Sequence, residues 1–166
     1  MQRFAVLAEI AELDGCCVLD LGCGYGDLKK YLDDRYTNYT YIGIEQMPEF
    51  IAQANARYGA CPDTYFLRAD FTNSILPEVD YILASGAFCY RCATDNFYPD
   101  MIQKMYAAAR RGIGFNMLLA GAFPQHPLLI GHAPETIVAF CKSLSPRVRL
   151  VTDYLEDDFS VFVYKQ

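Results

Sequence analysis

Tryptophan is absent from this 166-residue chain, histidine occurs twice, and 20 acidic residues face only 14 basic ones, a formal charge of −6. The shortage of cations argues against duplex DNA or RNA as a ligand, since that binding draws its affinity from Lys and Arg neutralising phosphates. The cations near the C-terminal helix, Lys142, Arg147 and Arg149, read as a solvated face. A long apolar run is missing as well. The most hydrophobic stretch, 113–123, is about half of the ~20 residues that a spanning helix needs, so no membrane partner is expected. Glu9 and Glu12 interrupt the apolar run after Arg3, which excludes a secretory signal pattern there. Cys89-Tyr90-Arg91-Cys92 has no second CxxC or C-x-x-H to complete four ligands, so no metal is expected and the pair reads as coincidence in a Cys-rich chain.

What is present fits a folded α/β protein. Hydrophobic residues make up 53% and charged residues 20%, and the length suits one core, hence a single domain over 1–166. Seven cysteines without a secretion signal indicate reduced thiols and a cytoplasmic location. Thirteen tyrosines suit a pocket or an interface. Short β-branched or aromatic runs predict seven strands at 16–21, 39–45, 64–68, 79–84, 112–119, 147–154 and 159–164. Between them, helical patterns cover 2–13, 27–35, 48–58, 96–110 and 134–143. Pro48 and Pro134, each followed by a glutamate, sit where a first helical turn tolerates proline and favours negative charge. Strand alternating with helix predicts a Rossmann-like doubly wound sheet, mostly parallel, with helices on both faces. Only 155–158 separates the last two strands, too short for a parallel crossover, so the final strand should be antiparallel.

The first strand runs into Asp20-Leu21-Gly22-Cys23-Gly24-Tyr25-Gly26 and then a helix. Glycines there allow positive φ and close approach of a ligand, and the helix start offers unpaired amides. The glycines alternate as G-x-G-x-G, and Asp27 stands where a dinucleotide fingerprint wants its third glycine, which disfavours a nicotinamide oxidoreductase. The second strand delivers Glu45, followed by Gln46 and Met47; after the third comes Asp70-Phe71, and after the fourth Ser85-Gly86.

In that order these segments resemble the class I S-adenosylmethionine (SAM)-dependent methyltransferases over nearly the whole chain. The resemblance implies SAM as cofactor, with S-adenosylhomocysteine (SAH) as product. It implies that Asp20, Gly22, Cys23, Gly24 and Gly26 surround the methionine end, and that Glu45 binds both ribose hydroxyls. Gln46 and Met47 would lie by the adenine, which Asp70 and Phe71 clamp, and Ser85 and Gly86 would pass under the methionine moiety. The segment Ser85-Gly86-Ala87-Phe88 lacks the Asn/Asp-Pro-Pro-aromatic signature of members that methylate base amines or glutamine amides, and it supplies no acidic diamine site for aminopropyl transfer. A small-molecule acceptor, such as a carboxylate-bearing metabolite, is therefore expected, with Phe88, Tyr90, Arg91 and His126 as candidate acceptor contacts and no catalytic base identified. Relatives usually carry a longer N-terminal lid, whereas here one helix precedes the first strand. An open site, a cover lent by a homodimer partner or by the loop 90–99, a truncated start, or a non-catalytic SAM/SAH-binding regulatory or scaffold subunit are the alternatives this leaves.

Overall fold

The computed structural model describes residues 1–94, 96–124 and 126–166. Eight strands form one sheet: β1 Cys17–Leu21, β2 Thr40–Glu45, β3 Thr64–Arg68, β4 Val79–Ala84, β5 Ala109–Leu119, β6 Gly131–His132, β7 Val148–Val151 and β8 Asp158–Tyr164. Their order is β3-β2-β1-β4-β5-β8-β7, with β6 pairing β5 off this path. All pairings are parallel except those of β8, which runs antiparallel to β5 and to β7 between them. The expected antiparallel last strand is thus present, and β6 is an addition too short to leave a periodic signature.

Helices α1 Gln2–Leu7, α2 Asp27–Asp33 and α3 Pro48–Tyr58 precede β3, and α4 Phe97–Ala108 and α5 Pro134–Leu144 follow it. The period-2 alternation of strands sorts the core onto two faces. Val18, Tyr81, Leu83 and Phe162 meet Val6 and Leu7 of α1 and Leu28, Tyr31 and Leu32 of α2. Leu19, Ile82, Ile113, Phe115, Val161 and Val163 meet Met101, Ile102 and Met105 of α4 and Ile137 and Cys141 of α5. The connection from β3 to β4 carries no helix, so Tyr65 and Leu67 on the edge strand stay 55% and 47% exposed. Among the described residues, no helix is long and apolar enough to cross a membrane.

Three predicted helices are longer than the real ones, 27–35 by two residues, since α2 ends at Asp33. The stretch 2–13 stays α-helical only to Leu7, tightens to a 3₁₀ turn over Ala8–Ile10, and is extended at Ala11. Tyr36 Oη donates to the Ala11 carbonyl at 3.3 Å, and Leu13 is fully buried, so the chain swings into the core instead of continuing along the surface. The stretch 96–110 stops at Ala108 although Ala107-Ala108-Ala109 favours helix, because Ala109 pairs with Val79 and opens β5. Arg110 and Arg111 then reach Glu78 and Asp80 at 3.7 and 3.2 Å. The last hairpin has a longer connection than predicted: β7 ends at Val151 and β8 starts at Asp158, and Tyr154 Oη lies 2.8 Å from Ser160 Oγ across the turn.

Candidate active site

The carboxyl ends of β1, β2 and β4 open into a cavity of about 750 Å³. Its first wall is the glycine loop. Gly22, Gly24 and Gly26 have φ of +75°, +53° and +79°, the left-handed region that L side chains rarely adopt. The loop amides of Gly22 and Cys23 both donate to the Ile44 carbonyl, at 2.8 and 3.1 Å, which ties β1's exit to β2. A Cβ on Gly22 would meet Ala87 at 3.1 Å, so this backbone passes between the two halves of the cavity.

Glu45 is nearly buried and its carboxylate is held by main chain. Oε1 accepts from the Gln46 and Met47 amides at 2.8 and 3.0 Å, and Oε2 from Gly24 N at 3.2 Å. Of the roughly four acceptor positions on a carboxylate, about one is left for a ligand. Asp20 is 1% exposed. Its Oδ2 accepts from Tyr41 Oη at 2.5 Å, while Oδ1 has no partner although Asp20 lines the cavity. Burial pushes the Asp20 carboxyl up to about 7; the Tyr41 hydrogen bond opposes this, and the fields of Glu45 and Asp27 add to it. Asp27, at the start of α2, also lines the cavity and is paired with Arg57 at 3.1 Å.

Beyond Glu45, the wall is Gln46, Met47, Phe50, Tyr25, Phe71 and Thr72. The Tyr25 and Phe50 rings lie 4.5 Å apart. Asp70 is not among the lining residues. Its Oδ1 accepts from Thr72 N and Oγ1 at 2.9 and 2.6 Å and its Oδ2 from Asn73 at 2.7 Å, and these bonds hold its carboxyl below the usual range. Asp70 thus closes the turn that presents Phe71 and Thr72. Gly26 does not line the cavity either; it is the residue from which α2 starts.

At the other end lie Ser85, Gly86, Ala87, Tyr90, Cys92 and Phe97, with Arg3 and Phe4 of α1. Gly86, at φ +76°, donates its amide to buried Asn116 Oδ1 at 2.8 Å. Of the four acceptor-side residues predicted from sequence, the structure brings Tyr90 to this wall and not the others. Phe88 is fully buried, packed edge-on against Phe115 and Tyr98. The segment 89–91 is zipped to 128–130 through Arg91 N to Leu128 O at 2.7 Å and Ile130 N to Cys89 O at 3.1 Å. That pairing turns Arg91 outward, where its Nη2 donates to the Leu129 carbonyl. His126 Nδ1 accepts from the Leu128 and Leu129 amides at 3.2 and 3.1 Å, a turn-closing role outside the wall. Cys89 is buried with its thiol pushed up to about 11 by desolvation, the opposite of what a redox CxxC requires.

Arg3 was not singled out from the sequence. Its Nε donates to Asp158 Oδ2 and its Nη2 to Asp158 Oδ1 at 2.9 Å, and Asp158 is fully buried at the start of β8. No local pattern signals a pair separated by 155 positions. The aromatic residues Tyr25, Phe50 and Phe97 were missed for the same reason: type and spacing alone do not separate a cavity wall from a core.

Known proteins share both the sequence pattern and the architecture. The methyltransferase domain family matches residues 18–112, more than half of the chain. The chain belongs to the class I SAM-dependent methyltransferases. A Mycobacterium tuberculosis protein assigned as a methyltransferase is 34% identical to it, covering 92% of this chain and 95% of that one. The trans-aconitate 2-methyltransferase of Klebsiella pneumoniae is 29% identical over 60% of this chain, which spans only 39% of that enzyme. Magnesium protoporphyrin IX methyltransferase from Synechocystis PCC 6803, solved with bound SAH, superposes with a TM-score of 0.76 at 15% identity, covering 98% of this chain and 80% of that one. A SAM-dependent methyltransferase from Mesorhizobium loti gives 0.74 at 13% identity over 99% and 98% of the two chains. The cofactor of this methyltransferase is accordingly SAM, and its residues suit that group: a glycine loop in left-handed backbone, where a Cβ on Gly22 would meet Ala87, and a buried carboxylate oxygen, Asp20 Oδ1, with no partner of its own.

Proposed function

We propose that this methyltransferase acts on a small-molecule acceptor that enters between α1 and the 85–92 segment and meets the cofactor above Ser85 and Gly86. One observation carries the reading: the glycine loop and the acceptor-side residues line a single cavity of about 750 Å³, within the usual size of small-molecule sites. SAM supplies a methyl group on a cationic sulfur, and its transfer leaves a neutral thioether. Gly22, Cys23 and Gly24 wrap the methionine end, with Gly26 setting the turn into α2. Asp20 Oδ1 accepts from the ammonium. Glu45 uses its remaining acceptor position on the ribose while its other bonds keep the loop in place. Gln46, Met47 and Phe71 enclose the adenine, with Tyr25 and Phe50 beside them and Asp70 holding the turn. Ser85 and Gly86 form the floor at the methyl group, and Tyr90 and Phe97 exclude water from it.

The trans-aconitate 2-methyltransferases among its relatives act, by name, on a small acid, which supports a small-molecule acceptor. The seven described cysteines are all unpaired, which supports a reducing, cytoplasmic setting. The test is calorimetry with SAM and SAH, followed by incubation of the protein with methyl-labelled SAM and a pool of small metabolites. Binding of both cofactor forms and label transfer to a small compound are expected. Transfer only to protein or nucleic acid would overturn the reading.

A further inference from the structure

The lining of the cavity is electrostatically divided. Asp20, Asp27 and Glu45 all stand at the glycine-loop end, where the cationic cofactor belongs. Among the described lining residues, Arg3 carries the one cationic side chain, and it stands at the opposite end. A guanidinium has five N–H donors. Two of them, on Nε and Nη2, are taken by Asp158, while Nη1 makes no hydrogen bond to the described residues and lies 3.7 Å from where a Cβ on Gly86 would be. The fork is therefore fixed from behind by a buried carboxylate and offers its free edge to the floor of the acceptor site. Phe4, Ala87 and Phe97 supply apolar surface beside it.

We infer that the Arg3 end of the cavity is a carboxylate subsite, and that the acceptor is a small organic acid anchored there by Arg3 Nη1 with its apolar part against Phe4 and Phe97. This inference rests on the methyltransferase reading and names its substrate class. Arg3 Nη1 has two N–H groups and so occupies at most two of the roughly four acceptor positions of that carboxylate. The three carboxylates at the far end repel the same anion, so the acceptor is also oriented along the cavity. Arg3 is thereby a specificity-determining residue, and α1 is part of the acceptor site in addition to covering the sheet.

The rival explanation is that Arg3–Asp158 is only an ion pair fastening α1 to β8. The two are separated by breaking the pair from each side. In protein saturated with SAH, propane-1,2,3-tricarboxylate and 3-phenylpropionate are titrated calorimetrically, each beside its amide. At least one acid should bind, and its amide should bind more weakly. Arg3→Gln should weaken the acid by at least about tenfold and leave SAH affinity unchanged. Asp158→Asn, which frees the guanidinium from its counter-charge, should leave the acid bound as tightly or more tightly. Equal weakening by both variants, equal binding of acid and amide, or no binding of either acid would overturn the inference. Where Arg3→Gln melts too low to titrate, Arg3→Lys, which keeps charge but loses the fork, carries the same comparison. Failure to bind SAH at all would count against the cofactor reading, and that is measured first.

Discussion

At the scale of single residues, the proposed cofactor site rests on two carboxylates. Asp20 is buried, faces Tyr41, Glu45 and Asp27, and ionises only near pH 7 in the empty cavity. A cationic ligand favours its charged form, so binding should drive off a proton below that pH. SAM affinity should rise about tenfold between pH 6 and pH 8, the factor for a group with that pKa; calorimetry in buffers of different ionisation heat would detect the released proton. In Asp20→Asn the profile should be flat and the affinity low. Stability moves the other way. The folded acid binds its proton more tightly than the unfolded one, whose value is about 3.9. Stability of the empty protein therefore falls as pH rises from about 4 through about 7 and levels off above. The melting temperature of Asp20→Asn should exceed that of the wild type at pH 8, with the gap closing toward pH 4. Glu45 is set by three backbone amides and cannot be replaced by its amide without losing the bond from Gly24. Glu45→Gln should weaken SAM by about 1–3 kcal/mol, and an unchanged dissociation constant would refute its role.

Elements matter here through how they begin and end. The first turn of α2 is set by Gly26, at φ +79°, with Tyr58 of α3 at 3.0 Å from its absent Cβ. Gly26→Ala carries about 1–2 kcal/mol of left-handed strain and must also push the Tyr58 ring aside. Thermal denaturation should show a loss larger than that strain alone, together with weaker SAM binding; a melting temperature within a degree of wild type would argue against this packing. The alternation of glycines, the acid at the end of β2 and the proline starts of α3 and α5 are all local, and the elements they predict are present. The ends of α1 and α4 were not legible, since Tyr36 and Val79 decide them from distant parts of the chain.

Across the whole molecule, the proposed acceptor site draws on α1 and the segment after β4, with Asp158 at the start of β8 holding Arg3 from behind. The two faces of the sheet keep its parts apart from the core, as Phe88 illustrates: three residues from Ser85, it belongs to the α4 side and fills the space between Phe115 and Tyr98. Phe88→Ala should cost about 3–5 kcal/mol, a large share of the ~5–15 kcal/mol that holds a domain of this size together. The milder Phe88→Leu should lower the melting temperature in a denaturation scan yet leave the SAM affinity of the folded protein unchanged. A selective loss of acceptor binding in Phe88→Leu would instead return Phe88 to the acceptor site.

The sequence by itself determined the alternation of strand and helix, the antiparallel return of the last strand and the glycine loop with Glu45 behind it. Each depends on hydrophobic period, loop length or glycine spacing, and those are properties of neighbouring residues. The turn that Asp70 closes with Thr72 and Asn73 is local as well. Only the tertiary structure decided that Phe88 points into the core and that Arg3 meets Asp158 at the far end of the cavity. Those outcomes depend on which side chains the folded sheet brings within hydrogen-bonding distance, and that is set by strand order, which no short window of sequence contains.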